Sequence, residues 1–434
     1  MLAVSFLGAI LLGTFLLWLP ISVRSGRLSF IDAVFTSTSA VCVTGLTVCD
    51  TASAFSPFGQ GVILSLIQLG GLGIMTFSTM ILLVAGRKIA IADRIAVQQD
   101  FSPAAIKDFR SLVRDVFLYA FAVEAAGSLL LLAGFLRHFP LGRAVPLSVF
   151  HSISAFCNAG FSLFSDNLAA FGEDGWINLT VIALIILGGL GFLVQKDVAG
   201  CAVGIIRRRR CRMMLHSKLV LTVSLGLILL GFGLFLGLEW NRSLAGLSPR
   251  GKILASLFQA VTPRTAGFNT VDLTAVGPAT GLLLMVLMFI GASPGSTGGG
   301  VKTSTIGVLA AFLRSKIMAR DSVGLFRRTL PGETILRALT AVLLALALVF
   351  VASFLILLAQ PDLGMRSAVF EVFSAFGTVG LSLGATARLS GFSKIIIILT
   401  MYIGRIGPLA LLSAFSRQRA KGRFDYAEES VMTG

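Results

Sequence analysis

Long apolar runs alternate along the chain with short mixed segments. A hydrocarbon core about 30 Å thick takes about 20 apolar residues in a helix. Eight runs approach or exceed that length, at about 2–22, 60–85, 112–136, 177–205, 219–238, 279–312, 335–359 and 392–416. Leu219–Leu238 and Ala338–Gln360 carry no charge at all. Lipid offers the backbone no hydrogen-bond partner, so these runs predict helices. The first run has no basic segment before it and is expected to be a span, not a cleaved signal.

Between each odd and even run lies a segment that is neither clean span nor clean loop. The four read FTSTSAVCVTGLT (35–47), FHSISAFCNAGFS (150–162), FQAVTPRTAGFN (258–269) and FEVFSAFGTVGLS (370–382). Each closes on Gly, then Leu or Phe, then Thr, Ser or Asn. The glycines are Gly45, Gly160, Gly267 and Gly380, spaced 115, 107 and 113 residues apart. A second recurrence follows 24 to 28 residues later: QLGGLGIMT (68–76), ILGGLGFLV (186–194), FIGASPGSTGGGVKTST (289–305) and YIGRIGPLA (402–410). The repeat is therefore span, re-entrant segment, span, with units at 1–90, 108–206, 214–316 and 331–417 and a tail at 418–434. Gly70 to Gly73 and Gly188 to Gly191 are expected to serve close helix packing.

A short helix that dips into the bilayer must hand its following backbone to protein or to a wet pathway. Four such segments can converge on one axis, where backbone carbonyls replace the water shell of a monovalent cation. The C-terminal ends of the short helices aim partial negative charge at the same axis. Asp50 and Asp272 lie five residues past their glycines and Asp166 six. They could concentrate cations at the outer mouth or be ordinary solvated loop carboxylates.

Composition narrows the class. Of 434 residues, 56% are hydrophobic and 13% charged, about half the charge of a soluble domain, and the mean hydropathy is +0.91. These values exclude a string of soluble domains and a disordered chain. The net charge of +16 suggests nucleic acid only until its position is examined. Of 36 basic residues, 22 fall in three segments between spans and in the tail. The segments are Arg87–Arg114, Arg207–Lys218 and Arg314–Arg337. This is the positive-inside pattern, which puts them and both termini in the cytoplasm. No nucleic-acid partner is expected. Of five cysteines none forms CxxC, and Cys201 and Cys211 are expected to be reduced thiols in a cytoplasmic segment.

The third unit carries the loop Gly291-Ala-Ser-Pro-Gly-Ser-Thr-Gly-Gly-Gly300. Pro294 and the glycines forbid ordinary helix. Val301 stands between Gly300 and Lys302, so the loop is no Walker motif. An unwound intramembrane loop under the four segments is a gate candidate, comprising Gly291, Ser293, Pro294, Gly295, Ser296, Thr297, Gly298, Gly299, Gly300 and Lys302. Arg405 sits at the matching point of the fourth unit, where a charge is costly and faces the interior. It could hold the loop by its carbonyls or repel cations. Arg264, three residues before Gly267, is expected to be a strut to pore-helix carbonyls or to an acid such as Glu371. His151 is expected to be a packing histidine.

AVCVTGLT, FCNAGF, TPRTAGFN and FGTVGL, with GASPGSTGGGVKT, resemble the TrkH/KtrB/HKT superfamily of potassium transporters along essentially the whole chain. The eight-span length is more similar to its KtrB branch than to TrkH, which has two further spans. The resemblance implies an all-α integral membrane fold: four helix–pore-loop–helix repeats, eight transmembrane helices, around a pseudo-fourfold central pore. It implies a potassium filter at Val43, Thr44, Gly45, Asn158, Ala159, Gly160, Thr265, Ala266, Gly267, Thr378, Val379 and Gly380, with the third-unit loop as gate. It further implies a homodimer in the cell membrane and a cytosolic nucleotide-binding regulatory ring of the KtrA/TrkA kind. Potassium would be the substrate, sodium a second candidate ion, and no cofactor is expected. Each loop lacks the GYG of conventional potassium channels. Broken helices and repeats also suit an alternating-access carrier coupled to sodium or protons. No HExxH, GxSxG or paired intramembrane carboxylate points to an enzyme.

Overall fold

The computed structural model describes residues 2–73, 109–208 and 211–407. The second half of the second run, most of the first basic segment, the end of the eighth run and the tail lie outside the described residues.

The described chain is helical apart from a hairpin of β1 (Gly324–Leu325) and β2 (Arg328–Thr329). Four units follow one another. The first contains α1 (Leu2–Trp18), α2 (Phe30–Val41) and α3 (Pro57–Gly71). The second contains α4 (Phe109–Phe135), α5 (Leu141–Phe156), α6 (Gly175–Gly189) and α7 (Phe192–Ile206). The third contains α8 (Leu215–Glu239), α9 (Pro249–Val261), α10 (Pro278–Phe289) and α11 (Thr303–Ile317), and the fourth α12 (Gly332–Ala359), α13 (Met365–Gly377) and α14 (Gly391–Ile406). Local signals set the starts. Ser56 and Ser248 accept the amides of Gly59 and Gly251 ahead of Pro57 and Pro249, and Asp174 caps α6 through the amides of Trp176 and Ile177. Such side chains satisfy amides a helix start leaves open.

The short helices α2, α5, α9 and α13 fall in the four segments expected to re-enter the membrane, and are called pore helices below. Each packs on the first helix of its own unit, and each is also covered by the second helix of the preceding unit. Thus α3 packs on α5, α6 on α9, α10 on α13 and α14 on α2. The last contact closes the ring, and Lys394 of α14 pairs with Asp32 of α2 at 2.6 Å.

The first helices of the later units are full spans: Arg114–Phe135, Leu215–Glu239 and Gly332–Ala359 are long and apolar enough to cross alone. In units two and three the second run is not one continuous helix. The run expected as one span at 177–205 is two helices, α6 and α7, bent by 107°. The break falls at Gly191, whose φ of +85° no right-handed helix can continue through. Gly73 (φ +77°) and Gly407 (φ +88°) end α3 and α14 at the same motif position. The glycines therefore divide their labour. The first of each motif packs, because a Cβ on Gly70, Gly188 or Gly404 would stand 2.0, 1.9 or 2.1 Å from the carbonyl oxygen of Val41, Phe156 or Phe376. The last, Gly73, Gly191 or Gly407, takes a positive φ at which helix stops. Cys201 and Cys211, expected as thiols of one cytoplasmic segment, lie side by side with Cα atoms 5.2 Å apart.

Gly188→Ala should lower stability by about 1–3 kcal/mol, the usual cost of overpacking. Gly226→Ala, on an open face of α8, should be neutral or slightly stabilising. Unfolding temperatures of the two variants in detergent check the contrast.

Candidate functional site

Each pore helix ends a few residues short of its glycine, and the chain then turns sharply. Val43, Asn158, Thr265 and Thr378, each two residues before the glycine, all have positive φ (55°, 59°, 71° and 50°). Gly45, Gly160, Gly267 and Gly380 follow with φ of +88°, +70°, +74° and +93°. A chain with two such reversals inside three residues has no regular ladder to satisfy it. The pore helix supplies the partners. Thr44 N donates to Ser39 O at 2.7 Å, Ala159 N to Ser154 O at 2.7 Å and Val379 N to Ser374 O at 2.8 Å. The third segment is one residue shorter, and there Ala266 N reaches four residues back, to Thr262 O, at 3.0 Å.

The side chains of the same four residues act a second time. Ser39 and Ser374 accept the amides of Gly45 and Gly380 at 3.1 and 3.0 Å, while Ser154 and Thr262 donate to the carbonyls of Phe161 and Phe268. This hydroxyl column was missed in the sequence reading. Aligning the segments on their leading Phe would have exposed it, since Ser39, Ser154, Thr262 and Ser374 all stand four residues after that Phe.

Eight of the twelve residues expected at the filter, the four glycines and the residue before each, meet one another. A Cβ on Gly45 would meet Ala159 O at 2.4 Å, one on Gly160 Ala266 O at 2.9 Å, one on Gly267 Val379 O at 2.3 Å, and one on Gly380 Thr44 O at 2.3 Å. Each glycine therefore abuts the carbonyl that precedes the glycine of the next unit, and the fourth abuts the first. The result is a closed ring of backbone oxygen with no room for a side chain. The hydroxyls of Thr44 and Thr265 are buried there with no protein partner among the described residues.

Above the ring opens a cavity of about 440 Å³ whose lining includes all four glycines and Asp50, Asp166 and Asp272. The aspartates are both mouth groups and loop caps. Asp50 accepts from Ala52 N, Ser53 Oγ and, across the unit boundary, Ser165 Oγ at 2.6 Å. Asp272 accepts from Thr274 N at 2.9 Å, and Asp166 from Ala170 N at 3.1 Å. Partial burial pushes the Asp50 carboxyl up, but these donors outweigh it and hold it below the usual aspartate range.

Below the ring lies the loop of unit three. Gly299 N donates to Thr378 Oγ1 at 3.0 Å, Thr297 Oγ1 meets the Asn158 amide at 3.3 Å, and Gly298 leaves no room for a Cβ beside Thr265 Oγ1. The loop thus touches the left-handed residue of three of the four filter segments. Its own backbone is held by the broken second helix of unit two. Ser293 N donates to Gly189 O, Thr297 N to Gly188 O and Phe192 N to Gly295 O, at 3.1–3.2 Å. Gly291, Ser293, Thr297, Gly298 and Gly299 are buried, and Pro294, Gly295, Ser296 and Gly300 half-buried. Gly300 (φ +67°) turns the chain out of the loop. Ser293 Oγ meets Thr303 Oγ1 at 2.9 Å, and Lys302 Nζ donates to Gly298 O at 2.9 Å. Arg405 reaches from unit four to donate to Thr297 O in the loop and to Gly70 O at the end of α3.

Two charges fall away from the axis. Arg264 donates to Ser224 Oγ of α8 at 2.9 Å, not to Glu371, which is taken by Ser382 and Thr386. Glu124, buried mid-span on α4, accepts Gln68 Nε2 on both oxygens at 3.0 and 2.9 Å. A lone carboxylate in an apolar run was the available signal for it.

Residues 2–424 match the family model TrkH, cation transport protein. The chain is 39% identical to the Ktr system potassium uptake protein B of Bacillus subtilis, over all of this chain and 96% of that protein. It is 37% identical to the potassium/sodium uptake protein NtpJ of Enterococcus hirae, with the same coverage. Among solved structures it resembles the potassium transporter TrkH of Vibrio parahaemolyticus, with a TM-score of 0.72 at 21% identity, covering 95% of this chain and 85% of that one.

Asp50→Asn should lower the unfolding temperature at pH 7. The folded-state pKa is depressed, so the carboxylate's contribution is fully present above the unfolded value of about 4 and is lost as pH falls through the folded one. The gap between wild type and variant should therefore be constant from pH 7 to 5 and shrink below about pH 4. Thermal unfolding across that range checks the sign.

Proposed function

This chain belongs to the TrkH family of cation transport proteins, which are membrane ion transporters and not enzymes, and from that premise we propose that it is a potassium uptake protein whose closed glycine–carbonyl ring is the selectivity filter. The ring carries the reading. Backbone oxygens fixed from behind by pore-helix hydroxyls can replace the water shell of potassium at little reorganisation cost, and the orphaned hydroxyls of Thr44 and Thr265 suit an ion or its last waters. Potassium enters from the aspartate-lined mouth, which is the extracellular side, and leaves toward the basic cytoplasmic segments.

The loop from Gly291 to Gly300 is the gate. It fills the space directly beneath the filter, and Arg405 is its latch, bonded at once to the loop and to α3. Opening requires the loop to leave Asn158, Thr265 and Thr378. A second copy of the chain and a cytosolic nucleotide-binding ring complete the assembly; both rest on the resemblance alone. Sodium-coupled carrier action is the second reading, favoured by the potassium/sodium name of the Enterococcus relative. Flux in liposomes that follows the electrical gradient without sodium sets it aside.

Two outcomes test the filter and the gate separately. Gly267→Val should reduce potassium-over-sodium preference about tenfold or more, because its side chain would occupy the ring. Unchanged preference defeats the filter assignment. Arg405→Ala removes two charge-assisted bonds and should raise potassium flux about tenfold while leaving the preference nearly intact. Flux at or below that of wild type, from folded protein at equal content, defeats the gate assignment.

A further inference from the structure

The four units share one more buried polar position, the residue directly after the leading Phe of each pore helix. It is Thr36, His151, Gln259 and Glu371, all almost fully buried behind the filter. In units two and four this residue performs the same task with different chemistry. Glu371 accepts the hydroxyls of Ser382 and, at 2.9 Å, Thr386. His151 Nδ1 stands 2.8 Å from Leu147 O, which can only accept, so Nδ1 carries the proton and Nε2 is left as an acceptor. Ser162 Oγ lies 3.0 Å from that Nε2. Ser382 and Ser162 are the equivalent residues two past Gly380 and Gly160, and both line the mouth cavity.

Each of these two filter segments is therefore tied to its pore helix by side chains at two successive points. Ser374 and Ser154 hold it at the glycine or just beyond, and Glu371 and His151 hold the serine that follows. Units two and four face each other across the ring. In unit three the second tie is missing. Both polar atoms of Gln259 lack a protein partner among the described residues, and the Asn269 amide turns instead to Val271 O at 3.1 Å.

We propose that Glu371 is a positioning residue for ion selection. By clasping Ser382 and Thr386 it fixes the peptide that follows Gly380, and so the direction of the carbonyls at the mouth end of the filter, with His151 doing the same from the opposite side. The inference rests on the four-loop ring being the selective element.

Potassium-over-sodium preference in liposomes tests it, since a role in folding alone would not move that ratio in folded protein. Ser382→Ala, which loses one bond to Glu371, and Glu371→Ala, which loses that bond and the one to Thr386, should each lower the preference about tenfold or more. The double variant should fall no further, because both changes open the same clasp. Glu371→Gln should stay within about twofold of wild type, since its amide can accept from Ser382 and donate to Thr386. Should Glu371→Ala not fold, Ser382→Ala, which removes a single half-buried hydroxyl, carries the test alone. A wild-type ratio in folded Ser382→Ala, or additive losses in the double variant, overturns the proposal while leaving the filter reading intact. A wild-type protein with no potassium preference overturns both.

Discussion

Lipid cannot hydrogen-bond a peptide group, so irregular backbone in the middle of a membrane protein survives only where the protein itself supplies each partner. Four short runs of such backbone meet at the centre of this chain. Their reversals at Val43, Asn158, Thr265 and Thr378 would be untenable without the pore helices behind them. Those helices end early so that the carbonyls and hydroxyls of Ser39, Ser154, Thr262 and Ser374 can serve the next few residues. The packing glycines of the second helices follow from the same need. Only a residue without Cβ lets α3, α6 and α14 press against the last carbonyls of α2, α5 and α13.

The loop of unit three obeys the same rule by borrowing from a neighbour. Where α6 ends at Gly189 and the chain swings by 107° into α7, the carbonyls of Gly188 and Gly189 lose their helical partners. The loop's Thr297 and Ser293 amides take them up. The bend in one unit and the unwound segment in the next are thus two halves of one arrangement. Arg405 serves both sides too, filling the open end of α3 at Gly70 and holding Thr297 O. A cation there is tolerable because helix ends and loop carbonyls surround it with negative dipole.

Fourfold symmetry holds in the glycine ring and in the hydroxyls behind it, and is relaxed at neighbouring positions. The glycine ring repeats four times, yet the third segment is a residue shorter and recovers its turn with a tighter hydrogen bond. The position behind the filter holds Thr, His, Gln and Glu, of which His151 and Glu371 brace opposite segments. A duplicated scaffold carries such differences cheaply, because each unit's backbone is anchored by its own pore helix.

The apolar helices and the glycine turns at Gly45, Gly160, Gly267 and Gly380 were legible in the sequence because each is set by a local requirement. Apolar length marks a span, and glycine marks backbone that other residues resist. The loop was legible for the same reason, through Pro294 and its glycines. What the sequence left open depended on which distant groups meet. Arg264 could have taken Glu371 but finds Ser224, and the run at 177–205 had the composition of one span but bends at Gly191. Gly188 and Gly191 are identical residues three apart, one for packing and one for a turn. Only the neighbouring carbonyl of Phe156 and the loop beneath tell them apart. Local preference fixed which elements form; the pairing of buried polar groups, which must be satisfied somewhere inside the protein, was settled only when the four units closed into a ring.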